Sequence, residues 1–248
     1  MKNKIKFFTA LFLVLLLLCS CGAKEPLVEN ETTQPEQPKE SITLPTNRVP
    51  TTYDKILKSL IAAFPWNKNE DYSVPNFPEF SSLYKRHPSL SEINVALIDL
   101  DENGQEELII TGVSTSFVYD IFTITNGQAV HLFSSEENNS YCLYENGYIE
   151  NQWTYSVSLN GKDYYKLDNG TASFVGRITT DLFHAHGVGL VADTNTVPDD
   201  KILFKSNTTE GKDYIHILPS EVADVTNDFL NKSAPLQLEY YTLSGYLK

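Results

Sequence analysis

The chain has 248 residues, 41% of them hydrophobic and 12% aromatic, with 19 basic against 32 acidic residues and a formal net charge of −13. That balance argues against nucleic-acid binding, which depends on Lys and Arg neutralising phosphates. The apolar and aromatic content supplies material for one folded core.

The first residues divide into Met1 to Lys6, with three lysines and no acid, then an apolar run from Phe7 to Leu18, then a short cysteine-containing stretch. This is the layout of a secretory signal. A spanning helix needs about 20 apolar residues, and this run is shorter, so export is expected rather than a permanent transmembrane anchor. Leu18-Cys19-Ser20-Cys21-Gly22 resembles the lipobox of bacterial lipoproteins, with Leu at minus three, a small residue at minus one and Cys21 at the modified position. The resemblance implies cleavage before Cys21, a diacylglyceryl group on that cysteine, and anchoring on the extracytoplasmic face of the cell membrane. More than one acyl chain is what stable anchoring requires.

Cleavage at that point removes Lys2, Lys4 and Lys6, which leaves 16 basic against 32 acidic residues and a mature charge of −16. It also removes Cys19. With Cys21 carrying lipid, Cys142 stands alone and no internal disulfide can form. Cys142 lies in the apolar run Tyr141-Cys142-Leu143-Tyr144, where a buried small hydrophobe is expected. Residues 22–50 are rich in Glu, Thr, Pro, Gln and Asn, and are expected to form a disordered tether. Residues 51–248 are then one extracytoplasmic domain.

A helix is predicted from Thr51, where Asp54 follows three residues after a threonine as in a capping box; Ile56, Leu57, Leu60, Ile61 and Phe64 share its apolar stripe, and Pro65 stops it. A shorter helix is predicted from about Pro78 to before Pro88. From Ile93 the period changes to short runs rich in Val, Ile, Tyr, Phe and Thr, punctuated by Asn103-Gly104, Asn126-Gly127, Asn146-Gly147, Asn160-Gly161 and Asn169-Gly170. Asn-Gly suits type I′ turns, which need positive φ at both central residues.

These pairs predict strands at about 93–99, 107–112, 117–125, 128–134, 141–146, 148–155, 156–160, 162–168 and 171–177. Residues 179–200 read as an irregular crossing. Strands near 201–205 and 213–218 follow, then a helix opened by Pro219-Ser220-Glu221 with Val222, Val225, Phe229 and Leu230 on one face, and a last extended segment from Leu236 to Leu243. The expected fold class is α+β: an antiparallel β-hairpin meander of about eight to ten strands, with an N-terminal and a C-terminal helix packed on one face of the sheet.

The stretch Asp99-Leu100-Asp101-Glu102-Asn103-Gly104-Gln105-Glu106-Glu107 places side-chain oxygens at alternate positions, with glycine at the tight turn. Calcium takes six to eight oxygen ligands, and this alternation curls a chain so that such oxygens converge. The expected ligands are Asp99, Asp101, Asn103, the backbone carbonyl of Gln105, and Glu107, with water completing the shell. An EF-hand needs a bidentate Glu at loop position 12, and Ile110 stands there. The spacing instead resembles the calcium loops of integrin-type (FG-GAP) propeller blades, with Glu107 where Asp is usual. One copy argues against a repeated propeller. The alternative reading is an acidic hairpin turn that binds nothing.

Longer stretches resemble a family of uncharacterised lipoproteins from Gram-positive bacteria: Ala96 to Gly104 leading into Glu107-Leu108-Ile109-Ile110, then Tyr119 to Thr123, Val130 to Phe133, Tyr144 to Gly147, and the helix opened by Ser220-Glu221-Val222. That resemblance implies a localisation and an architecture, and no activity.

No G-x-S-x-G, Walker loop, H-E-x-x-H or dinucleotide fingerprint is present. The leading expectation is a non-catalytic binding or structural domain with a calcium-stabilised turn, facing an envelope glycan or protein. The alternative is an envelope hydrolase using unrecognised carboxylates or His184 and His186. Asp181 and Asp193 lie near enough in sequence to complete a zinc or other transition-metal shell with those histidines, and a hydrogen-bonding or solvent-facing pair is the default expectation for them. Tyr141, Tyr144, Tyr148, Trp153, Tyr155, Tyr164 and Tyr165 crowd the central hairpins, where cross-strand pairing is the expected role and an exposed stacking surface the alternative.

Overall fold

The computed structural model describes residues 49–64, 81, 84, 86, 89–113, 118–156, 158–188, 202–211 and 213–247, the side chains of 186, 187 and 247 aside. The signal segment, nearly all of the tether, most of the helix expected at 78–88, and Asp193 lie outside these residues.

The described part is mostly antiparallel sheet with a few helices. Its strands are β1 (Ile93–Ile98), β2 (Glu107–Gly112), β3 (Val118–Thr125), β4 (Gln128–Ser134), β5 (Asn139–Leu143), β6 (Tyr148–Ser156), β7 (Leu159–Asp168), β8 (Thr171–Asp181), β9 (Leu203–Ser206), β10 (Ile215–Ile217) and β11 (Tyr241–Thr242). The helices are α1 (Thr51–Ala62), α2 (Leu182–Gly187) and α3 (Val222–Phe229). Eleven strands stand where eight to ten were expected, and the path is not a plain meander. The order is β10-β9-β8-β7-β6-β5-β3-β2-β1-β11, and β4 branches off beside β3. The chain returns at β11 to pair with β1.

Three Asn-Gly pairs form the turns their chemistry favours. Asn126-Gly127, Asn146-Gly147 and Asn169-Gly170 have positive φ at both residues. Asn160-Gly161 does not turn the chain. It lies inside β7, so the two strands expected at 156–160 and 162–168 are one. A Cβ at Gly161 would lie 2.5 Å from the Ile178 carbonyl oxygen and 2.9 Å from Cζ2 of Trp153. Glycine is there so that the Trp153 ring can lie across the strand, a close approach that sequence alone reads as a turn.

The expected capping box at Thr51 does not form either. Pro50 occupies the cap position with no side-chain bond, and its carbonyl accepts from the Asp54 amide. Asp54 instead pairs with Lys58 one turn on at 2.8 Å and accepts from the Tyr246 hydroxyl, which ties α1 to the end of the chain. The described part of the crossing expected to be irregular is regular: β8 runs on to Asp181, whose carboxylate accepts from the His184 amide at 2.9 Å and opens α2; residues 189–200 lie outside the described residues.

Alternation along the strands sorts the apolar side chains onto two faces. Val95, Leu108, Ile110 and Phe122 pack with Tyr53, Ile56, Leu57 and Leu60 of α1. Ala96, Ile109 and Ile121 point the other way and pack with Tyr141, Leu143, Ile149 and Leu167. Strand β2 is therefore buried along its whole length, which is why it reads as a continuous apolar run. Tyr164 and Ile178 form a third cluster with Val225, Phe229 and Leu230 at α3, and Leu182 and Ala185 of α2 join Ile202 and Phe204 in a fourth.

Candidate metal site

Strands β1 and β2 are joined by the acidic loop, and their register brings Ile98 opposite Glu107. The loop therefore closes on itself at its base. Asp99 starts it and folds back: its Oδ1 accepts from the Asn103 amide at 3.0 Å and its Oδ2 from the Gly104 amide at 2.8 Å. Asn103 repeats the move, its Oδ1 accepting from the Gln105 amide at 2.7 Å. Short polar side chains that bond the backbone just ahead of them wind a chain into a turn. Glu102 and Gly104 supply the positive φ this winding needs.

The winding gathers three carboxylates. Ligand oxygens of Asp99, Asp101 and Glu107 lie within 4.8 Å of one another. Glu107 is fully buried. Its Oε2 accepts from the Leu100 amide and its Oε1 from the Thr123 hydroxyl, both at 2.9 Å. Burial pushes its carboxyl up to about 7, against the pull of those two donors, and the charges of Asp101 and Asp99 add to the rise. Asp101 reaches across the sheet, where its Oδ2 accepts from the Gly170 amide at 3.1 Å. Its Oδ1 is buried with no hydrogen-bond partner. Gln105 holds the loop's far side, its side-chain amide donating to the Ile124 carbonyl.

The donor set fits a hard cation. Every candidate ligand is oxygen, the three carboxylates repel one another at this range, and a buried carboxylate oxygen without a donor is costly by roughly 1–3 kcal/mol. A carboxylate oxygen that accepts one N–H keeps a second lone pair for a metal. Asp99, Asp101 and Glu107 are thus brought together as the sequence predicts. Asn103 and Gln105 lie on the same winding, with the contacts given above.

Two contributors had no signal in the loop itself. Thr123 sits on β3 and Gly170 in the β7–β8 turn, 69 residues from Asp101. Only the sheet's topology brings them in. Gly170 has φ +71, and a Cβ there would lie 3.2 Å from the hydroxyl oxygens of both Thr123 and Thr125.

His184 packs edge-on against Phe204 and Tyr214, with ring centroids at 4.8 and 5.0 Å. Among the described residues, the carboxylates of the acidic loop are the group of three or more candidate metal-binding side chains that converge. The aromatics contact one another within and between elements: Phe133 of β4 meets Tyr141 of β5 and Tyr165 of β7, whereas Trp153 meets Tyr155 along the same strand β6 and Tyr164 of β7 meets Phe229 of α3. Of these, Tyr155 is widely exposed.

No family model matches the sequence, and no curated protein or solved structure matches it. Among the described residues no helix is long and apolar enough to cross a membrane.

Proposed function

We propose that this protein is a membrane-anchored extracytoplasmic lipoprotein, held by lipid on Cys21, whose folded part is a non-catalytic binding or structural domain with a calcium-stabilised turn. The observation that carries the domain's role is the convergence of Asp99, Asp101 and Glu107 on one small volume. Asn103 and the Gln105 carbonyl complete the protein's share of the ligands, and water fills the remainder. Calcium suits this set because it accepts irregular oxygen shells of six to eight, whereas magnesium demands a near-ideal octahedron.

Bound there, the ion supplies charge that offsets the three carboxylates. The chain's own residues do the rest. Asp99 and Asn103 set the winding, Glu107 ties it to Thr123 on β3, and Asp101 ties it to the β7–β8 turn. A cation at this point fastens three separated parts of the sheet, which is the work of a structural ion.

For the anchor, support comes from the basic start, the apolar run and Cys21 in lipobox order. We also propose that the resemblance to lipoproteins of Gram-positive bacteria reflects kinship, and that α1 and α3 lie on one face of the sheet. The cross-strand pairs Leu143↔Ile149 and Ile149↔Tyr165 continue the face opposite α1, and Tyr164, on the other side of β7, meets α3. An envelope glycan or protein is the proposed ligand class.

Calorimetric titration of the chain with calcium tests the site: one ion per chain, with the heat lost in Asp101→Ala, is expected. Absence of heat in the parent would overturn it. Replacing Cys21 by Ser should move the protein from the membrane fraction to the soluble one; unchanged fractionation would contradict the anchor.

A further inference from the structure

Beside the acidic loop, strand β4 and the β7–β8 hairpin flank an open groove of about 420 Å³. Small-ligand sites span roughly 300–1,000 Å³, so the groove can hold one ring with its substituents. Val130, Phe133, Tyr165 and Ala172 give it an apolar and aromatic wall, and Thr125 and Thr171 add hydroxyl groups. Phe133 and Tyr165 are braced against each other, their centroids 5.0 Å apart and their planes tilted by 55°. Both sides of the groove are hydrogen-bonded into the fold: β4 is the second arm of the tight Asn126-Gly127 hairpin, and the Gly170 amide on the other side donates to Asp101.

The charge pattern narrows the ligand. The chain carries 32 acidic and 19 basic residues, yet no Asp, Glu, Lys or Arg is among the described residues that line this groove. His131 lines it as well, but its imidazole is occupied on the opposite face of β4, stacked on Phe122 and bonded to Asp120 at 2.8 Å. An anion would meet no Lys or Arg among these lining residues, and the adjacent acid Asp101 is engaged by the Gly170 amide. The hydroxyls of Thr125 and Thr171 are exposed at its rim and offer hydrogen-bond partners to a ligand that carries hydroxyls of its own. A pyranose ring answers both walls, because its C–H face is apolar and packs on aromatic rings while its hydroxyls reach a polar rim.

We propose that this groove binds an uncharged sugar ring of a glycan, one residue of the chain at a time. The proposal rests on the reading of the domain as a binding domain and goes further in naming the place and the ligand class. Its failure is separable from that of the calcium site, because sugar and ion are titrated independently.

The test is amide chemical-shift mapping on the full, isotope-labelled chain in detergent, with calcium present, titrated with neutral trisaccharides of glucose and of N-acetylglucosamine. At least one should move the amides of Val130, Gly170, Thr171 and Ala172 saturably, with half-saturation below about 10 mM, the weak regime expected for a single small ring. Ala172→Leu, which narrows the groove, and the exposed Thr171→Val, which removes a hydroxyl and preserves the fold, should each weaken binding by roughly tenfold. Shifts absent with both neutral sugars, or centred elsewhere, would overturn the proposal. So would a neutral N-acetyl-Val-Phe-Val-amide peptide that moves these amides when the sugars do not.

Discussion

Glu107 is buried at the base of the acidic loop, so its proton is coupled to folding, as an ion bound beside it would be. Its folded pKa of about 7 lies above the ordinary glutamate value of 4.5, so the native state holds a proton that the unfolded chain has released between those values. The sign follows from linkage: this group's favourable share of stability is complete below about pH 4.5 and is lost as pH rises through about 7, on the order of 3 kcal/mol at most. Melting in a chelator should therefore fall as pH is raised from 5 to 8, and Glu107→Gln should flatten that slope. Calcium should reverse it, because metal ligands bind as deprotonated groups and affinity grows with pH. A parent slope in chelator identical to that of Glu107→Gln would contradict the assignment.

A second residue-scale prediction concerns Asp163, which is buried and gripped by two nitrogens of Arg177 at 2.6 and 2.7 Å, with the guanidinium also over the Trp153 ring. Removing one member of such a pair strands the other charge. Arg177→Met should lower stability by about 3–5 kcal/mol in urea unfolding, although the substitution keeps the apolar stem. A loss below 1 kcal/mol would mean that Asp163 finds other partners.

Among the elements, legibility followed how local the cause was. The helix periods at 56–60 and 222–230 were visible, because each stripe needs only its own spacing to declare a buried face. Asn126-Gly127 and Asn169-Gly170 were equally legible as turns. Asn160-Gly161 carries the same two letters for a different reason, since Gly161 answers to Trp153 and the Ile178 carbonyl on neighbouring strands. Gly161→Ala should thus cost about 1–3 kcal/mol through overpacking rather than through turn strain, measured by denaturant unfolding. A neutral result would mean that Trp153 swings aside. The branch of β4 and the return of β11 to β1 were invisible, because pairing partners far apart in sequence leave no periodic mark.

The site divides in the same way. The convergence of Asp99, Asp101 and Glu107 is legible from alternation within one loop. Thr123 and Gly170 are not, since only the folded sheet brings β3 and the β7–β8 turn to the loop. Of the histidine pair, His184 packs between Phe204 and Tyr214, contacts that its spacing from His186 does not announce, and the side chain of His186 lies outside the described residues.

At the scale of the molecule, one long antiparallel sheet serves several apolar clusters, and the acidic loop sits where β1–β2, β3 and the β7–β8 turn meet. An ion there would stabilise the native state alone, by about 2.7 kcal/mol at a hundredfold excess over its dissociation constant. For a domain of this size that corresponds to a rise of roughly 5–10 °C in Tm.

The most direct measurement is thermal unfolding near pH 7.5 in calcium and in chelator, run side by side on the parent chain and on Asp101→Ala. The calcium-clamped sheet requires a rise of about that size in the parent and none in the variant. Superimposable parent curves with and without calcium would contradict it and leave the loop a turn held by its own hydrogen bonds.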